Sequence, residues 1–389
     1  MKNLSKINNE YKFTKGFNFH LFTNSSGDIL LKYFYNKISQ IKKDNKLYEK
    51  IDKAIIAGES WKNNFFLDKK GSSNYFDDHE LLEFSKLDDI SDCIKYINYR
   101  YKYNNYPKLK LLGEYPPSLQ VELSSICNYR CIMCFQIDKS FSDKKNGHMG
   151  FMDLDLYKEI IDQAEGNIDS VTLASRGEPL LNKSINKMLD YSYKKFLALK
   201  INTNLSTLDE QTAHNILSKE VQTVVFSIDA SSKENYEKIR VKGNFDNILK
   251  RLEMFSNIRE KNYKNSKCIF RVSGVYLDEK QNVNDMAKIF GNMVDSVGFV
   301  NYAPWENLYE QQSNQVTEPC TDLWRRMFIW WDGKANPCDF DYKSELSKWN
   351  FKDKSIKDIW NSKEYNFYRQ SHLTKQRHKL TPCNKCHST

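Results

Sequence analysis

The sequence contains no apolar run approaching the roughly 18 residues that a membrane span requires. Its first residues, MKNLSKINNEYKF, lack the apolar h-region of a secretory signal, so the expected compartment is the cytosol. Paired cysteines are not expected either: the chain has nine, an odd number, and a reducing compartment disfavours disulfides. A single basic stripe is missing as well. Lys and Arg total 59 against 50 for Asp and Glu, giving +9, but the excess is shared between residues 1–115 and 313–389 while the middle is near neutral. The seven histidines share no spacing, and none is assigned a role. What is present is an ordinary soluble composition, 40% hydrophobic and 28% charged over 389 residues, long enough to bury a substantial core.

Residues 1–115 are rich in Asn, Lys, Tyr and Phe, with helical spacing of apolar residues in ILLKYFYNKISQI and LYEKIDKAII. Pro116-Pro117 marks a boundary. A regular alternation follows. Leu119, Val121 and Leu123 predict a strand, residues 153–165 a helix, 170–174 a strand, 183–195 a helix, 197–203 a strand and 207–218 a helix. TVVFSID then reads as a strand, 245–259 as a long helix, 268–277 as a strand, 281–292 as a helix and VGFVNY as the last strand. Six strands separated by helices imply parallel pairing with right-handed crossovers. About 180 residues for six units suits an open, partial (β/α)6 barrel better than a closed eight-fold one. The expected fold is therefore α/β, with an N-terminal extension (1–115), a partial barrel (116–312) and a small C-terminal module (313–389). That last region is short, Trp-rich and turn-rich with four cysteines, as expected of a module stapled by metal.

Seven of the nine cysteines fall into two groups, and Cys93 and Cys268 read as small buried hydrophobes. The first group, Cys127, Cys131 and Cys134, is a C-x3-C-x2-C cluster in the loop after the first barrel strand. Three thiolates on one loop can hold three irons of a cubic [4Fe–4S] cluster and leave the fourth iron open to an outside ligand. Structural zinc sites take four ligands and typically C-x2-C pairs, so this spacing fits zinc poorly.

The motif and its place after the first strand resemble those of the radical S-adenosylmethionine (SAM) enzymes. The resemblance implies that the open iron chelates SAM, that an electron from the cluster cleaves SAM, and that the resulting 5′-deoxyadenosyl radical removes a hydrogen atom from a substrate. Ser175-Arg176-Gly177-Glu178-Pro179 resembles the family's Gly-Gly-Glu-Pro motif, with Gly177 and Glu178 matching the second glycine and the carboxylate that meets the SAM amino group. Arg176 stands where the family has its first glycine. Asn202, Asn204 and Ser206 fall where the family often contacts the ribose, Ser227 and Asp229 resemble its Ser-x-Asp pattern, and Arg240 matches an arginine that can pair with the SAM carboxylate. The asparagines and serines among these residues are also ordinary turn formers and N-caps. Met133 replaces an aromatic residue common before the third cysteine; a thioether packs on a purine as well.

The second group is Cys320, Cys338, Cys383 and Cys386, with Gly333 to Cys338 forming G-x4-C. It resembles the SPASM and twitch extensions of radical SAM enzymes; a full SPASM domain carries more cysteines, four permit one auxiliary [4Fe–4S] cluster, and the twitch form is the better match. A four-cysteine zinc site is the rival. Four protein thiolates leave no open iron, so the task implied is electron transfer. The resulting expectation is oxidation of a polyol, aminocyclitol or amino sugar, with two [4Fe–4S] clusters, SAM and a flavodoxin- or ferredoxin-like donor. The alternatives are a radical maturase of a ribosomal peptide (thioether, carbon–carbon crosslink or epimerisation) and a zinc-stabilised RNA-binding protein prompted by the charge and the aromatics. Neither a membrane nor a nucleic acid is expected as partner on the first reading. Trp324, Phe328, Trp330, Trp331 and Phe340 are expected to pack around the auxiliary cluster, with substrate stacking as the other use. Arg325 and Arg326 could meet a phosphate or carboxylate. Tyr302, Glu306 and Asp278 near the late strands are the candidates for a proton-accepting base, and the first 115 residues could cap the barrel mouth or bind a carrier or peptide.

Overall fold

A computed structural model describes residues 19–20, 27–51, 76–278 and 281–388. The residues 52–56 of the segment LYEKIDKAII lie outside the described residues. After Pro116-Pro117, six parallel strands follow in sequence and spatial order: β2 (Ser118–Val121), β3 (Ser170–Leu173), β4 (Ala198–Thr203), β5 (Thr223–Ser227), β6 (Ile269–Tyr276) and β7 (Ser296–Asn301). The helices Leu154–Ala164, Ile185–Ser192, Glu210–Ser218, Phe245–Asn262 and Val283–Phe290 connect them. Each starts where the sequence places a polar cap before an apolar stripe. Asp153, Asp209, Asn244 and Asn282 all accept a first-turn N–H with their side chains. A helix not expected from the sequence, Lys233–Ile239, is capped by Ser232.

The strands divide their side chains between two environments at the period of two that a pleated strand imposes. Leu119 and Val121, Val171 and Leu173, Leu199 and Ile201, Val224 and Phe226, Phe270 and Val272, and Val297 and Phe299 are buried against the helices in one apolar core. The alternate positions point into the barrel. Ser118, Gln120, Ser170, Thr172, Lys200, Asn202, Ser227, Arg271 and Ser273 line an interior cavity. The barrel is therefore not a packed hydrophobic cylinder but a hollow one, whose lining mixes these polar side chains with Val225, Val275 and Val300.

Both edges of this sheet are covered. A strand of the C-terminal region, β8 (Arg326–Ile329), pairs in parallel with β2, from Ser118↔Arg326 to Val121↔Ile329. Strands β9 (Lys334–Asn336) and β10 (Trp349–Asn350) then continue antiparallel. At the other edge β1 (Phe19–His20) pairs antiparallel with β7. The C-terminal region thus grows out of the barrel sheet, giving ten strands in one sheet among the described residues.

The N-terminal extension contributes the helices Gly27–Lys43, Asp78–Ser85 and Ile90–Leu109. Phe34, Phe76, Leu82, Phe84, Tyr96 and Ile97 form their own core, which also takes in Ala198 and Ile269 at the starts of β4 and β6. The described part of the extension therefore closes the barrel at the ends where strands begin, opposite the cysteine loop. This differs from a cap over the ligand mouth. Buried charge seals the joint: Lys200 inside the barrel reaches Glu83 at 2.6 Å, and Glu83 also accepts from the Tyr96 hydroxyl at 2.6 Å. Among the described residues no helix is long and apolar enough to cross a membrane.

Candidate active site

The cysteine loop leaves the end of β2 and is fastened from several directions. Arg130 N–H bonds the Val241 carbonyl and Ile132 N–H the Ile239 carbonyl, at 2.9 and 3.0 Å. The Gln136 side-chain amide donates to the carbonyls of Ser125 and Arg176, and the Trp305 indole donates to the Met133 carbonyl at 2.7 Å. Cys127, Cys131 and Cys134 all face the interior cavity, which has a volume of about 590 Å³. Burial pushes the Cys127 thiol up to about 12. Its sulfur accepts the Tyr129 N–H at 3.5 Å and the Asn204 amide at 3.8 Å. A neutral thiol has little use for such donors, whereas iron-bound thiolates in clusters are typically stabilised by them. Three desolvated thiols on one loop, with N–H groups aimed at sulfur, suit a cluster that takes them as thiolates.

The segment 175–179 lies flat on this loop. Glu178 N–H bonds the Ile126 carbonyl at 3.0 Å. A Cβ added to Gly177 would stand 2.5 Å from the Ile126 and Ser124 carbonyl oxygens, both backbone atoms that cannot swing aside. We expect Gly177→Ala to push the two segments apart, with loss of most cluster iron on reconstitution, read by iron content and by the cluster's absorbance. The Glu178 carboxylate lines the cavity. It accepts from the Thr203 hydroxyl, the Asn204 N–H and the Leu180 N–H, at 2.7, 2.7 and 3.1 Å. Burial raises it to about 6 against those three bonds. In this geometry Glu178 ties the end of β3 to the end of β4.

Of the other residues singled out in the sequence, Gly177, Asn202, Asn204, Ser227 and Arg240 line the cavity. Asp229 lies behind Arg240. It is fully buried, accepts the Val275 N–H at 2.7 Å, and pairs with the Arg240 guanidinium. Ser206 turns to the loop, accepting from the Asn128 amide at 2.9 Å. Among the candidate bases Tyr302 lines the cavity and is hydrogen-bonded to Glu306, whereas Glu306 and Asp278 do not line it.

Tyr99, Arg100 and Tyr103 gave no usable signal in the sequence, and Arg176, Arg325 and Arg326 stand out there without the partners they have in the fold. Arg176, in place of a glycine, is buried and grips Glu122 with two bonds of 2.6 and 2.7 Å. It also donates to the Tyr342 carbonyl at 2.8 Å and stacks on Trp330 at 4.2 Å. Tyr99, Arg100 and Tyr103, from the helix Ile90–Leu109, form the floor of the cavity. Arg326 also lines it, held by Asp322 through two 3.0 Å bonds, while Arg325 stacks on Tyr103.

The second cysteine group sits beside the cavity. Asp339 and Phe340, the two residues after Cys338, reach its lining. The Phe340 N–H points at the Cys338 sulfur at 3.3 Å and the Ser388 N–H at the Cys386 sulfur at 3.4 Å, the same donor pattern as in the first group. Cys320 and Cys386 are buried. Cys338 and Cys383 each feel the charges of Cys320 and Cys386, so the four thiols form one set. Cys134 of the first group and Cys386 of the second pack on a shared cluster of Phe135, Phe141, Leu308 and Tyr342, which Trp305 and Phe340 adjoin. Trp324, Phe328 and Trp330 are buried in packing and offer no face to a substrate; Phe340 does. Cys93 and Cys268 are buried in the cores, as a small apolar reading of them requires.

Comparison with known proteins places these two groups in two known domains. The model of the radical SAM superfamily matches residues 121–288, and that of an iron–sulfur cluster-binding domain, SPASM, matches residues 320–387. A tungsten-containing aldehyde ferredoxin oxidoreductase cofactor-modifying protein from Pyrococcus furiosus is 24% identical over 303 residues, 64% of this chain and 82% of that protein. Mycofactocin maturase MftC from Mycolicibacterium smegmatis is 27% identical over 164 residues, 42% of this chain and 40% of that one. In fold, the chain is similar to Streptococcus suis SuiB bound to its precursor peptide SuiA. The TM-score is 0.56 at 15% identity, covering 97% of this chain and 99% of that one.

Proposed function

Because residues 121–288 belong to the radical SAM superfamily and residues 320–387 to the SPASM iron–sulfur domain, we propose that this enzyme oxidises a polar substrate held in the cavity between its two cysteine groups. The iron–sulfur assignment of the second group sets aside the zinc-stabilised RNA-binding alternative. When bound, the clusters and SAM supply a 5′-deoxyadenosyl radical that takes a hydrogen atom and an acceptor for the electron left behind. Cys127, Cys131 and Cys134 would hold the SAM-cleaving cluster. Cys320, Cys338, Cys383 and Cys386 would hold the auxiliary one.

The observation that carries this reading is the lining of one cavity. At one side stand the three cysteines; at another, Asp339 and Phe340 of the second group; between them, hydroxyls, amides and cations from the barrel strands. Gly177 allows the backbone of 175–179 to approach a ligand as closely as it approaches the loop. Asn202, Asn204 and Ser227 offer hydrogen bonds at strand ends to a nucleoside. Arg240, held by Asp229, presents a cation suited to a carboxylate. Below them Ser273, Thr172, Gln120 and Lys200 suit a hydroxylated or charged substrate better than an apolar one. Tyr302 reaches the cavity with Glu306 bonded to its hydroxyl, an arrangement able to accept a proton. A flavodoxin- or ferredoxin-like protein would deliver the electron.

The substrate on this reading is a polyol, aminocyclitol or amino sugar. A second reading, modification of a ribosomal peptide, is favoured by the maturase among the sequence relatives. Deuterium transfer to 5′-deoxyadenosine separates the two, from a labelled sugar in one case and a labelled precursor peptide in the other. The electron-acceptor role is tested by Cys383→Ala: we expect 5′-deoxyadenosine release to persist and oxidised product to fall to background. Full turnover by that variant would refute the role.

A further inference from the structure

Arg377 is 1% exposed, yet its guanidinium meets no carboxylate among the described residues. Its three bonds go to backbone carbonyls: Cys383 at 3.1 Å, Glu318 at 3.0 Å and Cys386 at 2.6 Å. Two of these belong to cysteines of the second group, and the third precedes Cys320 by two residues. A buried cation facing only neutral dipoles is expensive, because carbonyls replace only part of the water it loses. The cost is met if an anion lies close by. Arg377 has one in prospect. Its field reaches Cys320, Cys383 and Cys386, three of the four thiols.

The other charges around the set do not substitute for it. Asp322 faces Cys320, Cys338 and Cys386, but Arg326 neutralises it through two 3.0 Å bonds. Asp339 stands beside Cys338 and Asp341 faces Cys383, and neither supplies a cation. Lys110 faces Cys320 from the N-terminal extension and is only partly buried. His372 accepts the Cys320 N–H with Nδ1 at 3.1 Å, so that nitrogen turns a lone pair and not a proton to the set.

We propose that Arg377 is the fixed counter-charge of the auxiliary cluster, raising its reduction potential so that it accepts the electron released by the substrate. A cubane on four thiolates is an anion, and one electron makes it more negative with no bond formed or broken. A buried cation stabilises the reduced form more than the oxidised one. Arg377 is a positioning and tuning residue in this role, since it touches the ligand loops rather than the substrate. The proposal rests on the preceding reading only in giving the cluster an electron to accept.

The test is potentiometric titration of the intact protein, following the auxiliary cluster by electron paramagnetic resonance, with Arg377→Gln and Arg377→Lys beside the parent. Gln keeps hydrogen bonds without charge; Lys keeps charge without the three-way fork. We expect the potential in R377Q to fall so that the reduced-to-oxidised ratio at a fixed ambient potential drops at least tenfold, about 59 mV for one electron. R377K should stay close to the parent. If R377Q takes up no cluster while R377K takes it up with the parent potential, charge is again the requirement. An unchanged potential in R377Q overturns the proposal. So does failure of both variants to take up the cluster, because the fork alone would then explain the residue. Absence of any auxiliary signal in the parent would instead sink the functional reading itself.

Discussion

Cys127→Ala is expected to abolish 5′-deoxyadenosine release from SAM while leaving the fold intact. The reasoning is one of ligand count. Three thiolates would hold three irons of a cubane and leave the fourth open to SAM; with two, the cluster would lose an anchor and a second iron would lack a protein ligand. The loop itself does not depend on that sulfur. Its backbone is fixed by Arg130 and Ile132 against residues 239–241, by Gln136 and by Trp305, all of which survive the substitution. The measurement is anaerobic reduction with SAM followed by chromatography of the nucleoside, alongside circular dichroism for the fold. Cys268→Ala supplies the control. That thiol is buried on the far side of the sheet, so its loss should cost some stability and no iron. Nucleoside release by the Cys127 variant at the parent rate would remove the central role assigned to the loop. This prediction and the Cys383→Ala result differ in kind, since the first removes radical generation and the second only the fate of the electron.

Much of this arrangement is legible in the sequence, for identifiable reasons. The six parallel strands announce themselves because their outward residues, such as Val224 and Phe226, recur at period two and are punctuated by polar helix caps. The cysteine groups are legible because spacing on one loop constrains geometry directly. The pairing of β8 with β2 is not, since it joins distant segments and no local pattern encodes a partner. The polar interior was missed because Ser170, Thr172 and Lys200 alternate with apolar residues just as solvent-facing positions do. Direction is the recurrent gap. The Ser-x-Asp pattern locates Ser227 and Asp229 but not that the first faces the cavity and the second supports Arg240 from behind. Arg377 and the floor residues Tyr99, Arg100 and Tyr103 belong to no motif. Their roles come from what the tertiary fold sets against them.

The largest effect on stability is expected at Arg176. Restoring the family's glycine with Arg176→Gly should lower unfolding stability by about 3–5 kcal/mol, the range for breaking a buried ion pair by removing one partner. Glu122 is the reason. It is fully buried, and without the Arg176 guanidinium it would keep the backbone N–H groups of residues 176 and 331, both at 3.2 Å, but no cation, so its charge would be left in the interior. Loss of the stack on Trp330 adds to the cost. Arg176→Lys should recover only part, because an ammonium cannot span both carboxylate oxygens and the Tyr342 carbonyl at once. The informative comparison is the double variant with Glu122→Gln. If the penalty is an orphaned carboxylate, neutralising Glu122 should return a good part of it, giving a coupling energy between the two sites of a few kcal/mol. Chemical denaturation of the four proteins reads this out. Strict additivity would show that the pair is not the joint. The location explains why a joint is needed there. Arg176 meets the end of β2 through Glu122 and the C-terminal module through Tyr342 and Trp330, and its carbonyl receives Gln136 from the cysteine loop. A glycine can let a ligand approach, but it cannot hold three segments in register. In this chain the arginine fixes the second cysteine group against the first, and the glycine that remains, Gly177, keeps the close approach to the loop.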